Sequence, residues 1–191
     1  MEPRFSIAGE RADWEAVHDR AVARLAQRIA LALGFSPQRA SQVHLAGLLH
    51  DVGKREIPRE VLDKPGPLNA EEWRQVKLHP IIGQQIVLGE GLTEIADWVR
   101  AHHERFDGGG YPDGRMGTEI PLEGRILAVA DAYHAMTSQR PYRGPLSPDE
   151  AAQELRDEAG GQFDPQVVEA LLGALGHSFS CRGVPVTAVA A

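Results

Sequence analysis

Eight histidines in a chain of 191 residues are placed in a way that points to chemistry. His50 and Asp51 are adjacent, as are His102 and His103, while His18, His79 and Asp131 lie on other segments. Imidazole and carboxylate groups are ligands for divalent cations. Adjacent residues on a helix point about 100° apart, so such a pair can serve two metals, or one metal from two sides. An aspartate has two oxygens and can bridge two cations. Singly these signals are weak. A lone His18 on a partly apolar helix is usually a packed or surface residue, and His-Asp and His-His dipeptides arise by chance. Asp131 is less bland, because it lies inside the apolar run ILAVADAY, where an unpaired carboxylate is costly to bury. A metal would supply the missing partner.

Helices are the elements that must position these groups. Val17, Ala21, Leu25, Ile29 and Leu33 recur every fourth residue, with Val22 and Ala26 beside them, which predicts a helix over 12–33 stopped by Gly34. Ser36 and Pro37 open the next helix as N-cap and first-turn proline, and it ends near Asp51 and Gly53. KREIPREVLDKPGPL, with three prolines, reads as a connecting loop. Asn69 and Glu72 have capping-box spacing, and the helix they start meets Pro80, where a kink or new start is expected. Segment 81–88 reads as helical, and Thr93 opens TEIADWVRAHHER. FDGGGYPDGRMGTEIP is a long glycine-rich loop, and loops of that length are usually functional or disordered. Helices are predicted over 121–138, from Ser147–Pro148, and from Pro165. The fold class is all-α, a single helical bundle of about six to eight helices. Residues 1–13 read as an extension and 176–191 as a loose tail.

A domain of this length buries roughly 70% of its unfolded surface, so neither disulfides nor zinc are needed to hold it together. No run approaches the roughly 18 apolar residues of a membrane span, and the N-terminus has no signal-like stretch. The single cysteine, Cys181, cannot form an internal disulfide, which fits a reducing cytoplasm. A net charge of −7 argues against a long nucleic-acid track. Five helices could converge the His and Asp groups on one bundle cavity.

The chain resembles the HD-GYP family, a branch of the HD-domain metal-dependent phosphohydrolases. The matching strings are LLHDVGK at 48–54, KPGPL at 64–68, KLHP at 77–80, HHERFDGGGYP at 102–112, ILAVADAY at 126–133 and TSQRPYR at 137–143, in the family's order over roughly 14–175. The resemblance implies an HD-type bundle that hydrolyses cyclic di-GMP to linear pGpG, with a second cut to GMP conceivable, in the cytoplasm. It implies two divalent ions, usually iron and otherwise manganese, held by His18, His50, Asp51, His79, His102, His103 and Asp131, with Asp51 as the bridge. Eight bonds from seven residues leave about four of twelve octahedral positions for a bridging hydroxide and a substrate phosphate. That hydroxide would attack phosphorus in line with the departing ribose oxygen. Lys54 would contact a phosphate oxygen or the hydroxide, Arg140 and Arg143 would clamp phosphates, and the loop bearing Tyr111 would govern substrate access and partner contact. The implied partners are a GGDEF-domain protein or a sensor or receiver protein, and a homodimer is conceivable. With only about a dozen residues before its first helix, the chain reads as a stand-alone enzyme or an excised domain. Two divalent ions would bring its charge to about −3, all of the addition at the phosphate site.

Two positions depart from the family. Where members with a third metal have glutamate, this chain has Trp14, and the adjacent Glu15 should point elsewhere; a two-metal site is expected. Where the family usually has aspartate, three residues after Asp131, this chain has His134. Its spacing puts it near Asp131 and Lys54, as a general acid for the leaving group, an eighth ligand, or a tolerated replacement with lower activity. His44 and His177 are assigned to structure or solvent. Beside the phosphodiesterase stand a catalytically weak or inactive signalling module that binds a cyclic nucleotide or a GGDEF-type partner, an HD hydrolase acting on nucleotide monophosphates or an alarmone, and an oxygen-using di-iron enzyme.

Overall fold

The computed structural model describes residues 7–139 and 144–176, with side chains from Glu15 onward. Among them are nine α-helical segments and no strand. Helix α1 spans Ile7–Ala32 and α2 Pro37–Leu49. Gly34, at φ +85°, allows the turn between them, and the Ser36 hydroxyl accepts the Arg39 amide at 3.2 Å as N-cap. The two helices cross closely because small residues meet: a Cβ on Gly47 would sit 2.6 Å from Ala23 Cα. α1 begins five residues before the expected start, since Ala8, Glu10 and Arg11 favour helix without needing an apolar stripe.

The segment expected as one loop after Asp51 is partly helical. A 3-10 turn covers Val52–Glu56 and a single turn, α3, covers Arg59–Leu62. Ile57 and Val61 are buried, so the proline-rich stretch is pinned to the core by two of its apolar residues. Helix α4, Ala70–Val76, has the expected capping box between Asn69 and Glu72. Pro80 marks a new start, for α5 covers His79–Gly89 with proline in its first turn.

Helix α6, Thr93–Ala101, ends sooner than the reading to residue 105. The Glu104 amide closes a tight turn on the Ala101 carbonyl at 3.0 Å, and the His102 ring bonds the Val99 carbonyl at 2.6 Å. These bonds replace the next helical turn. Helix α7, Leu122–Thr137, runs through the middle of the core, with Ile126, Leu127, Val129 and Ala130 fully buried. It packs against α1, α6, α8 (Pro148–Asp157) and α9 (Pro165–Leu175). Arg140, Arg143, His177 and Cys181, and the tail beyond Gly176, lie outside the described residues.

The glycine-rich loop is tied down at its start and middle. Phe106 and Asp107 donate their amides to Gln162 and Gly161 before α9, and Tyr111 donates to the His103 carbonyl. Asp113 donates its amide to the buried carboxylate of Glu104 at 2.7 Å.

Candidate metal centre

Three of the site histidines sit at helix ends and share one hydrogen-bond device. His50, just after α2, has its Nδ1 2.8 Å from the Gly47 carbonyl. His79, first in α5, has its Nδ1 2.7 Å from Val76 O, and His102, just after α6, has its Nδ1 2.6 Å from Val99 O. Each partner carbonyl lies three residues back, where the turn presents it to the ring. A carbonyl only accepts, so each Nδ1 carries the hydrogen and donates it. Each Nε2 then points inward with a lone pair when the ring is neutral, the arrangement that orients histidine ligands.

These nitrogens surround Asp51. Its Oδ1 is 3.3 Å from His79 Nε2 and 3.9 Å from His102 Nε2, and its Oδ2 is 3.3 Å from His50 Nε2. Two ligand groups follow, each with its donor atoms within 4.8 Å of one another: Asp51 with His79, His102 and His103, and Asp51 with His18, Asp19 and His50. Asp131 Oδ1 lies 3.2 Å from His18 Nε2. With bonds of about 2.1 Å, neighbouring octahedral ligand atoms stand about 3 Å apart. His50 Nε2 and Asp51 Oδ1 are buried with no hydrogen-bond partner among the described residues. Polar atoms at such spacing, buried and unbonded, fit a divalent cation as their shared partner.

The electrostatics agree. Burial drives the His103 ring down to about 3, and lowers His79 and, more strongly, His102. All three are neutral at pH 7, the form that ligates. Burial also opposes charge on His50, but the Asp51 carboxylate outweighs it and lifts this ring to about 9; a cation would displace that proton. Burial likewise opposes ionisation of Asp51 and Asp131. The imidazoles beside them, with Lys54 for Asp51, prevail and hold both carboxyls below the usual range.

Lys54 Nζ lies 2.5 Å from Asp51 Oδ2, on the turn that follows the His-Asp pair. Burial works against its charge, yet Asp51 keeps its pKa above the ordinary lysine value. Gly53 makes this turn possible: a Cβ there would sit 2.0 Å from His79 O, so only glycine lets Asp51 approach α5. Tyr111 stacks on His103 with ring centroids 4.9 Å apart and 28° between planes, and Lys77 Nζ lies 5.2 Å from the tyrosine ring centre. Burial raises the Tyr111 pKa, so the hydroxyl stays protonated at neutral pH.

Six of the seven expected ligands fall in these two groups, and the seventh, Asp131, belongs to neither but lies beside His18. His134 shares the helix face of Asp131, as its spacing implies, and its Nδ1 lies 2.9 Å from His18 Nδ1 and its Nε2 3.0 Å from Ser138 Oγ. In this arrangement both ring nitrogens have partners, one on His18 and one on Ser138. Trp14, the basis for counting two metals, lies outside the described side chains; Glu15 belongs to neither ligand group. His44 lies outside both groups.

Sequence reasoning missed Asp19, Ser138 and Glu104. Asp19 Oδ1 is buried without a hydrogen-bond partner among the described residues, 4.0 Å from His50 Nδ1, and burial raises its pKa. It follows His18 as a second His-Asp dipeptide, a signal that was legible. Ser138, just past the end of α7, and Glu104, inside the HHE string, carry no such signal.

The HD domain family model matches residues 6–167, and the chain belongs to that family. It is 39% identical over 159 residues to the 3'3'-cGAMP-specific phosphodiesterase 1 of Vibrio cholerae, covering 81% of this chain and 36% of that protein. It is 41% identical over 158 residues to the cyclic di-GMP phosphodiesterase of Thermotoga maritima, covering 81% of this chain and 43% of that one. The chain thus spans less than half the length of these relatives. The fold matches the HD-GYP-type protein Bd1817 of Bdellovibrio bacteriovorus at TM-score 0.68 and 24% identity, over 85% of this chain and 52% of that one. No helix among the described residues is long and apolar enough to cross a membrane.

Proposed function

We propose that the chain is a metal-dependent phosphodiesterase that hydrolyses a cyclic dinucleotide, cyclic di-GMP first, to the linear pGpG, in the cytoplasm. The observation that carries this is Asp51, whose two oxygens face different ligand groups, as a carboxylate shared by two cations requires. His79, His102 and His103 would hold one ion, and His18 and His50 the other, with Asp131, beside His18, assigned to it from the resemblance. Iron fits this nitrogen-rich set, and manganese is the second candidate. The pair of ions supplies Lewis-acid polarisation of a phosphoryl oxygen and an acidified water.

The chain's own groups do the rest. Backbone carbonyls fix the three helix-end imidazoles, so the ligands are oriented before substrate arrives. Lys54 places a partly exposed ammonium beside Asp51, where it offsets charge that develops on phosphoryl oxygens. Tyr111 stacks its ring on His103 and keeps its hydroxyl neutral there. Arg140 and Arg143 are assigned to the phosphates from the resemblance. A GGDEF-domain protein, a sensor or receiver protein, or a second copy of this chain is the partner class the resemblance supports.

The relatives divide between cyclic di-GMP and 3'3'-cGAMP, so both substrates belong in the test. The full chain, loaded anaerobically with iron(II) or with manganese(II), is incubated with each dinucleotide and the products are separated by chromatography. Linear dinucleotide from cyclic di-GMP is the expected product. Preference for 3'3'-cGAMP would reassign the substrate. Two bound ions without hydrolysis of either would replace the enzyme with a nucleotide-binding module.

A further inference from the structure

Helix α7 holds the imidazole of His18 at both of its nitrogens. Asp131 Oδ1 stands 3.2 Å from Nε2, and His134 Nδ1 stands 2.9 Å from Nδ1. Residues 131, 134 and 138 are spaced i, i+3 and i+7, on one helix face, and Ser138 Oγ closes the row 3.0 Å from His134 Nε2. The His18 ring, buried in the α1–α7 interface, is therefore gripped along its length by one helix.

We propose that His134 is a positioning residue that sets the tautomer and angle of the metal ligand His18, with Ser138 as the terminus of the relay; this rests on the metal-centre reading above. The hydrogen assignments follow from chemistry. A His18 that gives its Nε2 lone pair to a cation carries its hydrogen on Nδ1 and donates it. Facing it, His134 Nδ1 must accept. A neutral His134 then bears its own hydrogen on Nε2 and donates it to Ser138 Oγ, whose hydroxyl has lone pairs to spare. His134 is thus a neutral acceptor behind a ligand, where the other three helix-end histidines use a backbone carbonyl. His18 lies within α1, where helical bonding occupies the backbone carbonyls three and four residues back. A side chain from another helix has to supply the acceptor.

The test is zinc(II) binding, which is diamagnetic and needs no turnover. Affinity and stoichiometry are measured by competition with a chromophoric chelator for the wild-type chain and for His134→Phe, His134→Asn and Ser138→Ala. Thermal unfolding of the metal-free forms checks folding. His134→Phe removes the acceptor, and the expected loss is about 10–100-fold in affinity at one of the two ions. His134→Asn offers a carbonyl oxygen close to the old Nδ1 position and should restore most of it. Ser138→Ala should cause a smaller loss. Nitrogen-15 spectra of the zinc-loaded wild type should show His18 as the Nδ1–H tautomer and His134 as the Nε2–H tautomer, neither His134 nitrogen being metal-bound. Unchanged affinity in His134→Phe would overturn the proposal, as would a metal-bound His134. If His134→Phe does not fold, the tautomer spectra of the wild type and the Asn and Ala variants decide it. A wild-type chain that binds no zinc, manganese or iron overturns the metal-centre reading instead.

Discussion

At the scale of single residues, Asp51 and Lys54 do different jobs although they touch. Asp51 is shared between the two ligand groups, so Asp51→Asn should abolish tight binding of both ions, as metal analysis of the purified variant would reveal. Lys54 reaches only Asp51 Oδ2 and stands outside both ligand groups. Lys54→Met should therefore keep both ions but lower kcat about 10²–10³-fold, the loss typical of one preorganised charge-stabilising donor. Steady-state kinetics beside metal analysis separates the two roles, and an unchanged kcat would reduce Lys54 to a structural partner of Asp51.

At the scale of elements, the site depends on close approaches that only glycine permits. The Gly53 Cβ position is 2.6 Å from Gly83 N as well as 2.0 Å from His79 O. Gly53→Ala must push the 3-10 turn away from α5 and separate Asp51 from His79. Overpacking of this kind costs about 1–3 kcal/mol, and the variant should lose metal affinity further than its drop in Tm alone explains. The glycine-rich loop offers a pH test. The Arg105 guanidinium, followed by the Gly109 amide, draws the Asp107 carboxyl down to about 2. A depressed carboxyl stabilises the folded loop fully above its unfolded value, about 3.9, and that contribution vanishes as pH falls through about 2. Limited pepsin digestion should begin in this loop between about pH 4 and 2 in the wild type. In Asp107→Asn it should already occur at pH 4, and equal resistance of the two would detach Asp107 from loop stability.

At the scale of the whole molecule, α7 links packing to chemistry. Ile126, Leu127 and Val129 are buried in the core, and Leu127 lies one turn before Asp131 on the face that also carries His134. Leu127→Ala should cost about 2–5 kcal/mol through the cavity it leaves. For a domain of this size each kcal/mol lowers Tm by about 2–4 °C. Metal should work in the opposite direction. Ions that bind only the folded chain raise Tm with their concentration, so chelation should lower the Tm of the wild type and leave Asp51→Asn almost unmoved. Calorimetry with and without chelator checks both.

The sequence by itself determined the all-α class, most helix starts and the identity of the metal-ligand candidates. Local rules act over a few residues, and apolar spacing, caps and prolines at 37, 80, 148 and 165 are local. The resemblance supplied the ligand set because its motifs are strings of adjacent residues. Tertiary structure decided what depends on packing between distant segments. Ile57 and Val61 folded a stretch that its prolines marked as loop. The space at Gly53 set the approach of Asp51 to His79. The direction of His134 was decided the same way. Helical spacing put it on the face of Asp131; that its partner there is His18, 116 residues earlier, follows from the packing of α1 on α7, which brings the two imidazoles within 2.9 Å.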